Sequence, residues 1–253
     1  MKIIISPAKK MEECPDLFEP GELPAEIERT ERLYEALRKM SEEELKTLFR
    51  ANDRITRENY LRYQNMDLSR AQTPALLSYV GIQYQYMAPK LFSREMWEYA
   101  KKHLRILSGF YGVLRPDDRI VPYRLEMQAK LSVNGTADLY AFWNRRILDD
   151  VLGETDEGQD QVIINLASKE YSRAVEAYLT PQIRYVTCIF GTEQDGKVKV
   201  KATEAKMARG EMVRFLAEKE ITDVERIREF DRLGYSFSEK HSGPDCLAFI
   251  KHT

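Results

Sequence analysis

The stretch LSGFYGVLRPDDRIVPYRLEM (residues 107–127) starts as a strand and then departs from regular structure. It holds Gly109, Gly112, Pro116 and Pro122, so no long helix can run through it. It carries Arg115, Arg119 and Arg124 beside the acids Asp117, Asp118 and Glu126, and Tyr111 and Tyr123 lie among them. The apolar run before it reads as a strand over 104–108 that ends at the hydroxyl of Ser108. Two other apolar runs end in the same way. IIIS meets PAKK at Ser6, and VIINLA meets SKEY at Ser168. Each end is followed by bases: Lys9 and Lys10, then Arg115, then Lys169 and Arg173. Ligands in helix-covered sheets sit outside the carboxyl ends of strands. If the three strands are parallel neighbours, their ends build one cationic pocket.

Working outward, strands are predicted at 2–5, 104–108, 162–166, 183–190, 197–203, 234–237 and 246–250. Asp195-Gly196 is a two-residue hairpin signal between the fourth and fifth of these. Helices are predicted at 25–39, 42–50, 54–64, 93–102, 138–152, 168–177, 204–219 and 223–230, and Ser41/Glu44 and Thr222/Glu225 read as capping boxes. Leu139, Trp143, Ile147 and Val151 form a buried stripe closed by Gly153. Elements intermix without strict βα alternation. The expected fold class is α+β, a mixed β-sheet covered by helices in a single domain over 1–253, neither barrel nor doubly wound.

Composition narrows the function classes. Apolar content of 43% and charged content of 32% describe a globular chain. No apolar run approaches the roughly 20 residues of a membrane span, so the expected place is the cytoplasm. The net charge is −2, but it is segregated: residues 149–160 carry six acids and no base, and residues 197–214 carry six bases against two acids. Such segregation can hide a basic patch on a nearly neutral protein; the alternative is two unrelated solvated surfaces. Three scattered cysteines without CxxC suggest neither disulfides nor zinc, and the three histidines form no ligand motif. Nucleotide-loop fingerprints are absent, so no cofactor and no metal is expected.

Other candidates sit near these strand ends. Arg124 and Glu126 are two apart on one face, able to pair or to let Glu126 aim the Arg124 fork at a phosphate. Lys206 and Arg209 are neighbours on one helix surface, and Gly210 beside them reads as a close-packing point that would let another backbone or a ligand approach closely. Segment 41–65 reads as two helices whose turn gathers Arg50, Arg54 and Arg57, a shape that can present itself to a phosphate backbone.

Together these motifs resemble the bacterial family of the peroxide stress protein YaaA, also known as DUF328. The pieces are IIISPAK, LSGFYGVLRPDDRIVPYRLEM, INLASKEY, AKMARGEMVRF and the closing GYSFSE with LAFIK, spanning nearly the whole chain. The resemblance implies the family's own α+β fold with a positively charged cleft and a helix-hairpin-helix element. It implies binding to duplex or branched DNA (bubbles or junctions) without strong sequence preference, and limitation of iron-linked oxidative damage. Lys9, Ser108, Tyr111, Arg115, Arg124, Glu126, Asn165, Ser168, Glu170, Tyr171, Lys206 and Arg209 fall in the matching motifs. Asp118 departs from the family pattern, and an extra acid there weakens the local positive field. The alternative is an enzyme acting on a small anionic or nucleotide-like substrate, with Arg115 and Arg124 as clamps, Glu126 or Glu170 as base and Tyr111 or Tyr171 as acid.

Overall fold

Ile3, Ile4 and Ile5 are all fully buried, so both faces of the strand they form are covered and it belongs in the middle of a sheet. The computed structural model describes residues 1–153 and 161–252, so residues 154–160 of the acidic run lie outside it. Its strands are β1 (Lys2–Ile5), β2 (Lys10–Met11), β3 (Thr73–Pro74), β4 (Tyr79–Val80), β5 (Leu104–Ser108) and β6 (Gly112–Leu114). They continue with β7 (Arg119–Ile120), β8 (Gln161–Leu166), β9 (Ile183–Gln194), β10 (Lys197–Lys199), β11 (Tyr235–Phe237) and β12 (Cys246–Lys251). The helices are α1 (Ile27–Arg38), α2 (Glu42–Phe49), α3 (Asp53–Asn65), α4 (Ala75–Ser78) and α5 (Ile82–Met87). After them come α6 (Arg94–His103), α7 (Leu139–Trp143), α8 (Arg146–Leu152), α9 (Lys169–Glu176) and α10 (Ala202–Glu218).

The main sheet runs β11-β12-β9-β8-β1-β5-β6, with β10 folded back on β9. β12, β9, β8, β1 and β5 are mutually parallel. The edges β6 and β11 are antiparallel, which makes the sheet mixed. The β9–β10 hairpin turns at Asp195 and Gly196, both with positive φ, as the dipeptide predicts. The Ser41/Glu44 capping box is present in both directions. The one expected at Thr222/Glu225 is not: the Glu225 N–H donates to Asp223, and 225–229 is a short 3₁₀ turn.

The helix expected over 138–152 is two. Asn144 adopts φ 45° and ψ −137° between α7 and α8, which breaks the helical path. The Leu139–Trp143–Ile147–Val151 stripe nevertheless stays buried throughout. The Trp143 indole N–H donates to the Gly109 carbonyl at 2.9 Å, which anchors α7 beneath the central loop.

Within that loop, β6 turns back on β5 and carries Arg115 toward Arg105, at the opposite end of the strand from Ser108. Arg115 is exposed there, and Asp118 is buried beneath it. The Asp118 carboxylate accepts the Arg115 backbone N–H at 2.8 Å, and burial pushes its pKa up to about 7. Asp118 is therefore not a surface acid. The unfolded chain ionises this carboxyl near its ordinary value, whereas the folded chain holds the proton up to about pH 7. Stability is thus lost as pH rises through that window. Asp118→Asn is expected to flatten this slope and to add roughly 2 kcal/mol at about pH 8, with Arg105 and Arg115 moderating the gain. Chemical denaturation of both proteins across this pH range checks it; parallel curves would show that Asp118 is ionised throughout.

Candidate functional site

β8, β1 and β5 are neighbours, with β1 in the middle, so Ser168 and Ser6 meet. The Ser168 backbone N–H donates to Ser6 Oγ at 2.8 Å, and Ser6 Oγ–H donates to Ser168 Oγ at 3.2 Å. A cavity of about 360 Å³ opens beside them. Its walls hold Lys9, Lys10, Arg124, Lys206 and Arg209 against only Glu126 and Glu170.

Each side chain arrives for a local reason. Lys10 is set by the β2–β4 pair, in register with Val80. Beyond β7 the chain crosses back, bringing Arg124 to the same cavity. Tyr63 of α3 fastens that return: its hydroxyl donates to the Arg124 carbonyl at 2.8 Å and accepts the Arg124 N–H at 3.2 Å. Gly109 permits the crossing, because a Cβ there would sit 2.6 Å from the Leu125 carbonyl oxygen. Gly210 does the same for α10, since its Cβ would lie 2.0 Å from the Gln83 carbonyl oxygen of α5. That contact draws Lys206 and Arg209 against Gln83 and Tyr84.

Glu126 is the centre of the charge arrangement. Its Oε1 is 2.9 Å from Arg124 and 3.1 Å from Lys9. The Arg124 and Glu126 side chains are 12% and 9% exposed, against 65% for Lys9, so the first pair is desolvated and the second is not. Glu170 accepts the Gln128 N–H at 3.3 Å. Burial, aided by the nearby Glu126 charge, lifts its carboxyl above the usual range. Burial also raises the Tyr171 hydroxyl. Lys9 and Glu126 line, in addition, a second cavity of about 670 Å³ that reaches Arg50 and Lys130. The two cavities adjoin at Lys9 and Glu126, and the second balances Lys9, Arg50 and Lys130 with Glu43, Glu44 and Glu126.

Several expected participants stand elsewhere. Ser108 is fully buried, bonded to Tyr123 Oη at 2.6 Å and accepting the Phe110 and Tyr111 N–H groups. Tyr111 is buried and accepts the Val121 N–H, so it faces no ligand. Asn165 is turned inward, its Oδ1 accepting the Ala167 N–H. Lys169 pairs with Glu176, and the Arg173 guanidinium stacks 4.9 Å above the Tyr140 ring. Arg57 pairs with Glu42, while Arg54 and Arg50 are exposed at the α2–α3 turn, where Arg50 takes φ 47° in place of a glycine. Ser6, Gln83 and Tyr84 belong to the cavity, and of these only Ser6 is marked by a strand-end pattern. Among the described residues no group of three or more His, Cys, Asp or Glu stands together to hold a metal ion, and no helix is long and apolar enough to cross a membrane.

Fold and site together define a mixed α+β protein with a cavity, lined by more bases than acids, at the ends of its central strands. The sequence profile of the family described as "Peroxide stress protein YaaA" matches residues 1–241. A UPF0246 protein of Desulfitobacterium hafniense is 51% identical over 251 residues, covering 99% of this chain and 98% of its own. The UPF0246 protein of Agathobacter rectalis is 49% identical over 249 residues, 98% of each chain. That of Lactiplantibacillus plantarum is 48% identical over 250 residues, 99% of each. The chain belongs to the peroxide stress protein YaaA family.

Proposed function

We infer that the chain serves the peroxide stress response by binding duplex or branched DNA through this cavity, and so limits iron-linked oxidative damage indirectly. The observation that carries this reading is the state of the cavity's cations. Lys10, Lys206 and Arg209 have no ion pair among the described residues, and Arg124 shares its only one with Lys9. Unpaired cations along a groove are what a phosphate backbone neutralises, releasing its counterions. The exposed Arg50 and Arg54 at the α2–α3 turn would extend the contact as the helix-hairpin-helix element. The expected result is an affinity that falls steeply with salt. The Lys10→Ala/Lys206→Ala double variant should flatten the slope of log K against log salt by about 1.8, two phosphate contacts at about 0.9 each. Gel shift or anisotropy over a salt series measures it; an unchanged slope would remove these lysines from the interface.

A second reading, an enzyme acting on a small anionic substrate, is favoured by one feature. Glu126 and Glu170 share a cavity of small-ligand size, and burial raises the Glu170 carboxyl above its ordinary value, the direction a general acid or base requires. Tyr111 is not available as its acid, but Tyr171 lines the cavity.

A further inference from the structure

The cavity carries hydrogen-bonding groups that charge alone does not explain. Among the described residues six buried side-chain polar atoms lack a partner. Four of them are Gln83 Nε2, Arg124 Nε, Glu126 Oε2 and Arg209 Nε, all on residues that line this cavity. An unmatched buried group costs about 1–3 kcal/mol, and native folds hold few of them. Their concentration in one wall marks a surface shaped for something that answers them.

Three of the four are donors, which any anion could answer. The fourth is an acceptor, and a backbone phosphodiester, which has no O–H, cannot answer it. Glu126 is held in place, because its other oxygen is fixed by both Arg124 and Lys9. Whatever enters must give Glu126 an N–H or O–H, accept from Gln83, and carry negative charge for Lys10, Lys206 and Arg209. Tyr84, Tyr123 and Tyr171 also line the cavity, among small and aliphatic residues such as Ala8, Val80 and Ile82. The volume of about 360 Å³ lies at the small end of ligand pockets. A phosphate joined to a flat ring whose edge has a donor beside an acceptor meets every condition.

We propose that the cavity accepts one unstacked nucleotide, its phosphate toward Lys10, Lys206 and Arg209, its base edge donating to Glu126 Oε2 and accepting from Gln83 Nε2. Every base offers an adjacent donor and acceptor on its pairing edge, so this recognition selects unpaired bases without selecting sequence. The same chemistry has two sources: a nucleotide freed from the stack in DNA, or a free mononucleotide. Only the first rests on the DNA-binding reading above.

The test compares ligands of equal charge with and without the base. One pair is a duplex with a single extrahelical nucleotide and the same duplex with an abasic unit there. The other is a mononucleotide and deoxyribose 5-phosphate, with inorganic phosphate as competitor. The base-bearing member of at least one pair is expected to bind about tenfold tighter, the worth of roughly one net hydrogen bond. Gln83→Met should shrink that ratio to about threefold or less, whereas Lys206→Ala should weaken both members of a pair alike and keep it. Gln83→Met that folds, by its thermal transition, yet keeps the full ratio would overturn the assignment of Gln83. Equal affinity within both pairs, with salt-sensitive binding of both duplexes, overturns the nucleotide pocket and leaves DNA binding standing. No binding of either duplex, with the mononucleotide still preferred over the sugar phosphate, removes the DNA reading and keeps the pocket. Inorganic phosphate competing as well as the mononucleotide would also overturn it.

Discussion

Gly210→Ala is expected to destabilise the protein by about 3 kcal/mol or more, well beyond ordinary overpacking. Alanine would gain roughly 1 kcal/mol of helix propensity over glycine at this position. The gain is overwhelmed, because the added Cβ would fall 2.0 Å from the Gln83 carbonyl oxygen and 3.0 Å from the Met87 backbone nitrogen. Those atoms are backbone of α5, so no side-chain rotation relieves the clash; α10 and α5 must separate. For a chain of this size about 3 kcal/mol corresponds to a fall of roughly 6–12 °C in Tm. Gly243→Ala is the control, since a Cβ there meets nothing within 4 Å and the φ is ordinary. The same separation moves Lys206 and Arg209 away from the cavity, so DNA affinity should fall together with Tm. A variant matching Gly243→Ala in both would mean that the helices slide without penalty.

Glu126→Ala should change stability and binding in opposite directions. Removing one member of a desolvated pair leaves Arg124 uncompensated, a loss of about 3–5 kcal/mol for a fully buried pair. Here the cavity admits water and Lys9 is mostly exposed, so about 2 kcal/mol is expected. The freed Arg124 and Lys9 become ligands for anions, and duplex DNA affinity at low salt should rise several-fold. Inorganic phosphate should restore the variant's Tm more than it raises that of the unaltered protein. Thermal scans with and without phosphate, beside a duplex titration, read both effects. A folded variant that has lost duplex binding would reverse this expectation and make the carboxylate part of the contact with paired DNA as well.

The strands that build the site were legible because their signal is local. Lys2–Ile5, Leu104–Ser108 and Gln161–Leu166 are short apolar runs ending at polar residues. Direction was less legible. The three-residue β6 holds Gly112 and little pattern, yet by reversing the chain it sends Arg115 to the far end of the sheet and leaves Arg124 to occupy the cavity. Ser108 and Tyr111 looked accessible for the same reason. A strand-end hydroxyl can face outward, as Ser6 does, or cap its own turn inward, and only the packing of Tyr123 and Phe110 decides. Gln83 was hidden by a conflict of periods. IQYQYM alternates apolar and polar residues as a strand would, but Gly81 opens a helix there and Gly210 holds it against α10. Gly210 itself was readable as a close approach, although its partner was not. The cations of α10 were visible because Lys206 and Arg209 share a helix face.

The position of β1 has a consequence for how the protein is made. Its two neighbours in the sheet are β5, whose residues begin at Leu104, and β8, whose residues begin at Gln161. At synthesis rates of about 5–20 residues per second, β1 waits roughly 8–30 s before β8 has even been assembled. Through that interval four residues rich in isoleucine have no sheet to join, and the cavity has no floor. Pairings so distant in sequence belong to slow folding. The central strand that gathers Ser6, Lys9 and Lys10 at one rim is thus among the first segments synthesised and among the last to be enclosed.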